Sequence, residues 1–227
     1  MDESAHDTAT FRRSPADRGG FSESGRSARK RRAIIDAART VFLRKGYDGA
    51  SMDEVAALAA VSKQTVYKHF ADKERLFTAI ITGDISAAEV LTHGMVEALR
   101  DSEDVENDLR QFARRHIIEV TQPHLLRLRR IVIAEAERFP DLAGTWYASG
   151  PDHAHAALAD QFQVLAQRGL LRVDDPLLAA QHFNWLILSI PLNTAMFHGS
   201  DTTFTPAELE RYADEGVRVF LAAYGPH

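Results

Sequence analysis

From Ser27 onward the apolar positions recur at helical spacing, and no stretch of Val/Ile/Thr alternation reads as a strand. Ile34, Ala37, Ala38, Val41 and Phe42 follow the i, i+3, i+4, i+7, i+8 pattern of one buried helix face, which Gly46 brings to an end. Ser51-Met52-Asp53-Glu54 has the form of a capping box, in which the serine hydroxyl and the glutamate carboxylate each satisfy a free amide. Met52, Val55, Ala56 and Ala59 then form a short apolar face. After a break at Ala60-Val61, Ser62 caps a third helix running to about His69, with Val61 and Val66 at the positions of a hydrophobic staple. Asp72 caps a fourth, longer helix whose stripe runs through Phe77, Ile81, Ile85, Ala88, Met95, Val96 and Leu99.

Five further helices follow. Val105, Leu109, Phe112, Ala113, His116, Ile117 and Val120 make one stripe, and residues 123–139 make the next, ended by Pro140. Ala154, Leu158, Phe162 and Leu165 mark a third, closed by Gly169. Asp175-Pro176 opens an uncharged helix to about His198, in which Pro191 predicts a kink. Thr205-Pro206-Ala207-Glu208 is a second capping box, opening a last helix along Leu209, Tyr212, Ala213, Gly216, Phe220 and Ala223. The predicted fold class is all-α, without internal repeats.

Composition narrows the function classes. The 227 residues contain no cysteine, which excludes a disulfide framework, a thiolate metal site and a cysteine nucleophile. Residues 176–200 lack Asp, Glu, Lys and Arg, but Gln181, His182, Asn184, Asn193 and His198 interrupt them, as suits a buried helix rather than a membrane span. No secretory signal is visible in the acidic, polar start, so the expected location is cytoplasmic. Residues 1–25 carry two large apolar side chains, Phe11 and Phe21, and read as a disordered tail. Charge is distributed unevenly. Residues 1–75 hold 15 Lys+Arg against 11 Asp+Glu, whereas residues 76–227 hold 12 against 21. All five lysines lie in the first third: Lys30, Lys45, Lys63, Lys68 and Lys73. A basic head on an acidic body suits contact with a polyanion at one end, although charge alone favours a solvated charged face.

Helix, tight break and capped second helix make a helix-turn-helix, whose second helix enters the major groove of DNA. Val66 and Phe70, with Val61, form its inward face, which leaves Lys63, Gln64, Thr65, Tyr67, Lys68 and His69 outward. Lys63, Gln64 and Thr65 occupy the first turn, which approaches base edges; Gln pairs with adenine and a Thr methyl touches thymine. Tyr67, His69, Lys73 and the Ser51 hydroxyl suit phosphate oxygens. With the cap Ser62, these are the candidate DNA-binding residues. Arg26, Arg29, Lys30, Arg31 and Arg32 precede or open the first helix and suit the DNA backbone, the minor groove or a non-specific arm.

The string Val61-Ser62-Lys63-Gln64-Thr65-Val66-Tyr67-Lys68-His69-Phe70 … Lys73-Glu74-Arg75-Leu76, with Ser51–Ala56 before it, closely resembles the DNA-binding domain of the TetR/AcrR family of bacterial regulators. The likeness covers about residues 27–76. It implies an all-helical homodimer with an N-terminal reading head, a C-terminal ligand-binding and dimerising domain, and release from DNA on ligand binding. Two positions depart from the pattern. Ala60 stands where many members have glycine, which costs up to about 1 kcal/mol if the backbone there is left-handed. Gln64 also occupies a frequent glycine position. Ile133–Pro140, Gly169-Leu170-Leu171 and Asp174-Asp175-Pro176 resemble the AefR-like C-terminal domain.

The expected organisation is a tail over 1–25, a DNA-binding head over 26–75 and a ligand-binding, dimerising body over 76–227. Candidate ligand contacts are Phe112, His116, Trp146, Tyr147, Phe162, Asn184, Trp185 and Met196, although helical stripes of large apolar residues are built first for packing and core is the favoured reading of each. Trp146-Tyr147, following the break at Pro140, suits a lid. The His153-x-His155 pair lacks supporting ligands, so neither metal nor cofactor is expected. Expected partners are double-stranded DNA, a small-molecule effector of unidentified structure, and a second copy joined through helices 176–198 and 205–223, with no membrane. No Gly-rich phosphate loop, His-Glu-x-x-His or Gly-x-Ser-x-Gly supports catalysis, so the protein is not expected to be an enzyme. The leading reading is a sequence-specific transcriptional repressor released from a pseudo-palindromic operator by a small hydrophobic ligand. A DNA-binding dimer without effector and a helical small-molecule carrier are the alternatives.

Overall fold

A computed structural model describes residues 20–198 and 204–226, except for the side chains of 20–24, 85–93 and 95. The described residues form ten α-helices and no strand. The first, α1 (Gly20–Gly49), starts upstream of the apolar periodicity, and its regular geometry is interrupted at Gly46, where φ is 71°. Residues 1–19 of the expected tail lie outside the described residues, while 20–25 continue α1 backward. Once a helix is nucleated, each further residue adds a hydrogen bond for its own ordering. The side chains of Ile85, Ala88 and Met95, assigned to the fourth helix's stripe, also lie outside the described residues.

Next come α2 (Met52–Leu58), α3 (Lys63–His69) and α4 (Lys73–Ala98), the last ending in a 3₁₀ turn at Leu99–Asp101. The serine and aspartate caps form as expected: Ser51 Oγ accepts from Glu54 N, Ser62 Oγ from Thr65 N, and Asp72 Oδ1 from Arg75 N. The reciprocal half of the Ser51–Glu54 box does not form. The Glu54 carboxylate instead reaches α1, pairing with Arg44 and, at 2.7 Å, with Lys45. Two cations outcompete one amide for an anionic acceptor.

The body comprises α5 (Val105–Val120), α6 (Pro123–Ala134), α7 (Pro140–Tyr147), α8 (His153–Gln167), α9 (Pro176–His198) and α10 (Pro206–Tyr224). The segment expected as one helix over 123–139 therefore stops at Ala134, and Glu135–Phe139 form hydrogen-bonded turns. Pro140 then opens α7, because a missing amide costs nothing at the first helical position. Eight residues are too few to display a periodicity, which is why α7 is invisible in the apolar pattern. A π turn over Ala148–Asp152 joins it to α8. Helix α9 is continuous through Pro191, which is buried within it. Thr205 and Glu208 complete the second capping box in both directions.

Two apolar clusters result. The head cluster joins Ile34, Val41 and Phe42 of α1 to Val55, Val66, Phe77 and Ile80, and takes in Leu128, Val132 and Leu142 from α6 and α7. The body cluster packs Leu109, Phe112 and Ile117 of α5 against Phe162, Phe183, Ile187, Val217 and Phe220, with Leu126 of α6. Phe183 stands edge-on to Phe162 and Phe220, with centroids 5.6 and 5.1 Å away. Each such pair contributes about 0.5–1.5 kcal/mol beyond burial. Arg39 grips the buried Asp84 through two nitrogens and thereby ties α1 to α4, which raises the guanidinium pKa.

Helices α9 and α10 meet where Gly216 lies against Ile187; a Cβ there would stand 2.9 Å from Ile187 Cγ1 and 3.2 Å from its backbone nitrogen. In an open helix Gly→Ala gains about 1 kcal/mol, but overpacking a tight contact costs about 1–3 kcal/mol. Gly216→Ala is therefore expected to lower stability by about 1 kcal/mol in denaturant unfolding. A stabilised variant would mean that α10 does not need this close approach.

Candidate functional site

The turn between α2 and α3 is a Schellman motif. Val61 N donates to Ala56 O at 3.0 Å and Ala60 N to Ala57 O at 3.2 Å, with Ala60 at φ 53°. A left-handed alanine is strained, so the expected penalty at this position has its geometric cause.

Helix α3 buries Val66 completely and is followed by the buried Phe70. Gln64, Tyr67 and Lys68 project outward, Tyr67 being 43% exposed. The other candidates have local engagements. Thr65 is half-buried and its hydroxyl lies 2.8 Å from the Ser62 hydroxyl, so the two are partly used in capping. Lys63 is exposed but paired with Asp53 of α2 at 2.7 Å, which holds its ammonium above the ordinary lysine range. His69 is half-buried at the helix end. Lys73 is half-buried and engaged: its ammonium donates to Ala50 O at 3.0 Å and lies over the Tyr47 ring. Lys73 thus holds the start of α4 to the end of α1. Of the basic run before the first helix face, Arg31 stacks over Phe70.

A second feature is a cavity of about 120 Å³ walled by α5 to α9. His116, Trp146, Asn184 and Trp185, all candidates from the sequence, line it. His116 and Asn184 are buried and joined by a hydrogen bond of 3.0 Å. Burial holds the His116 imidazole below its ordinary pKa, against the Asn184 bond that raises it; His155 and Arg129 lower it further. The neutral ring thus donates from Nε2 to Asn184 Oδ1.

The remaining four candidates do not line the cavity. Phe112 and Phe162 belong to the body core, Phe112 stacking on His116 from one turn below. Met196 packs on that core, and Tyr147 is 49% exposed. Neighbours on a helix point about 100° apart, and on α7 Trp146 faces the cavity while Tyr147 turns to solvent.

Two charged lining residues escaped the sequence reading, Glu119 on α5 and Arg129 on α6. Three arginines, Arg127, Arg129 and Arg130, crowd α6, and composition does not say which turns inward. Arg130 instead donates to Ala195 O at 2.8 Å. The usable signal was the i, i+4 relation of Arg129 to Leu125, also a lining residue. His153 is exposed while His155 is 1% exposed, so the two histidines do not converge. Among the described residues neither His155 nitrogen has a hydrogen-bond partner, and burial holds this ring too below its ordinary pKa. No described helix is long and apolar enough to cross a membrane.

Comparison with known proteins places this geometry. Residues 34–80 match the family model for bacterial regulatory proteins of the tetR family, and residues 107–226 match that for the C-terminal domain of AefR-like transcriptional repressors. A crystal structure of a protein assigned to the TetR family, from Mesorhizobium loti MAFF303099, is 47% identical, covers 88% of this chain and 98% of its own, and superposes with a TM-score of 0.83. The flavonoid-responsive regulator FrrA is 30% identical over 88% of this chain and 99% of its own, with a TM-score of 0.67. The transcriptional activator FasR of Mycolicibacterium smegmatis is 37% identical over 81 residues, which are 36% of each chain. The match thus spans about a third of that curated relative's length.

Two outcomes are expected. Ala60→Gly relieves the left-handed strain and raises unfolding free energy by up to about 1 kcal/mol; a loss would mean that the turn gains from the methyl. The second concerns acid. In the unfolded chain His116 and His155 bind protons at ordinary values, and in the folded protein at lower pH, so the stability from their neutral forms is complete above about pH 6.5 and is lost as pH falls below it. His155→Leu should leave the neutral-pH Tm no lower and lessen its fall between about pH 7.5 and 5. An unchanged pH slope would remove His155 from the account.

Proposed function

The chain belongs to the TetR family of bacterial regulatory proteins, with an AefR-like C-terminal domain, and from that premise we propose that it is a cytoplasmic, homodimeric, sequence-specific repressor released from a pseudo-palindromic operator by a small apolar ligand. Residues 26–75 are the reading head, and 76–227 bind the ligand and the second copy. The observation that carries this reading is α3 itself: a capped helix, anchored by Val66, that presents Gln64, Tyr67 and Lys68 outward from the basic third of the chain. Gln64, Lys63 and Thr65 sit where base edges are read, and Tyr67, Lys68 and Ser51 where phosphates pass. The Lys63–Asp53 pair is exposed and so weakly held that a phosphate can replace the carboxylate.

An apolar stripe on α9 supports dimerisation: Leu178, Leu186, Ile190 and Phe197 are all exposed, Phe197 at 83%. Val219 of α10 is exposed as well. A two-fold axis repeats such a patch on both copies and covers it. Half-sites one turn of DNA apart would then require the two α3 helices to stand about 34–36 Å apart. The cavity between α5 and α9 supports the effector role, as does the flavonoid response in the name of a relative similar over most of the chain.

Selection of bound duplexes from a random library, read at two salt concentrations, tests this reading. The expected product is an inverted repeat whose preference survives the higher salt; binding that only fades with salt, without a motif, would overturn it. On the selected operator Tyr67→Ala is expected to weaken all duplexes alike, by about 1–2 kcal/mol. Thr65→Ala should instead change which bases are preferred. Equal losses from both on every sequence would cancel this division of roles.

A further inference from the structure

Arg129 is the one cation among the side chains that line the cavity. It is half-buried and makes no hydrogen bond or ion pair among the described residues, although Arg130 beside it reaches the α9 carbonyl of Ala195. Glu119 lines the same cavity, yet no ion pair joins the two. His116 cannot supply a second positive charge, since its neutral ring is bound to Asn184. The rest of the wall is largely apolar, with Trp146, Trp185, Leu188 and Leu192. Burial draws the Arg129 pKa below the ordinary arginine value, which marks the cost of holding this charge without an acceptor.

A carboxylate would remove that cost, because its two oxygens fit the guanidinium fork. The volume, about 120 Å³, approaches that of cavities known to hold one aromatic ring. A phosphate dianion would bring more charge than a single arginine offsets. We propose that the effector is a small apolar carboxylic acid bound as its anion, with the carboxylate on Arg129 and a ring-sized body against Trp146 and Trp185. The inference rests on the effector reading above and adds the chemical class of the ligand.

The test titrates the full chain with benzoate and phenylacetate and with their uncharged amides, following tryptophan fluorescence and operator release, in the native protein, Arg129→Gln and Arg129→Lys. The acids are expected to bind the native protein at least about tenfold tighter than the amides. Arg129→Gln should abolish that preference, and Arg129→Lys should keep part of it. Thermal melts check that each variant folds, and the lysine variant carries the test if the glutamine variant does not. Equal binding of acids and amides, an acid preference unaffected by either substitution, or no acid binding overturns the inference. Acids that bind through Arg129 without releasing the operator would uphold the carboxylate site and overturn its role as the effector site. Amides that release the operator as well as the acids do would uphold the effector reading and overturn the carboxylate.

Discussion

Helix α6 has to satisfy three surroundings with twelve residues. Leu128 and Val132 pack in the head cluster, Leu126 packs in the body cluster, and Leu125 and Arg129 face the cavity. No rotation of this helix leaves all three intact, because packed interiors do not deform continuously. Any group that pulls on Arg129 therefore acts on the neighbour of a head-core residue. The turn that follows reinforces the link: Arg138 bonds Asp48 at the end of α1 and lies over the rings of Tyr47 and Phe139. The head and the body are thus coupled through side-chain packing rather than through the α4 backbone alone.

The reading helix depends on that packing for its existence. Seven residues are too few for a helix to persist in water, so α3 is held by Val66 and Phe70 in the head core and by the Ser62 cap. Its orientation relies on the Schellman turn, which the sequence accomplishes with a strained alanine. Lys73 works in the same direction. By bonding the carbonyls at the end of α1, it gives up reach toward a phosphate and stiffens the frame that aims α3.

In the body, the polar groups mark where packing gives way to the cavity. His116 and Asn184 satisfy each other, which spares the cavity wall an unpaired donor. Trp185 lines the cavity and is also 40% exposed on the outer side of α9, next to Leu186 of the apolar stripe. The cavity and the exposed apolar stripe of α9 are therefore separated by one side chain.

The local pattern of residues determined much of this protein. Helix spacing, the serine, threonine and aspartate caps and the Ala60 turn are encoded within a few positions of one another, because hydrogen bonds between neighbouring residues decide them. The same holds for the outward face of α3. Tertiary packing decided the rest. Nothing near Glu54 says that its carboxylate will cross to Arg44 and Lys45, and nothing near Lys73 says that its amine will turn to Ala50. A helical stripe shows that Phe112 and His116 are buried, but not that one fills core while the other faces a cavity. Which arginine of α6 turns inward follows from the helices packed around it, and those lie tens of residues away in the chain. Burial is written in local spacing; the identity of what a buried side chain meets is set by surfaces that meet only when the chain has folded.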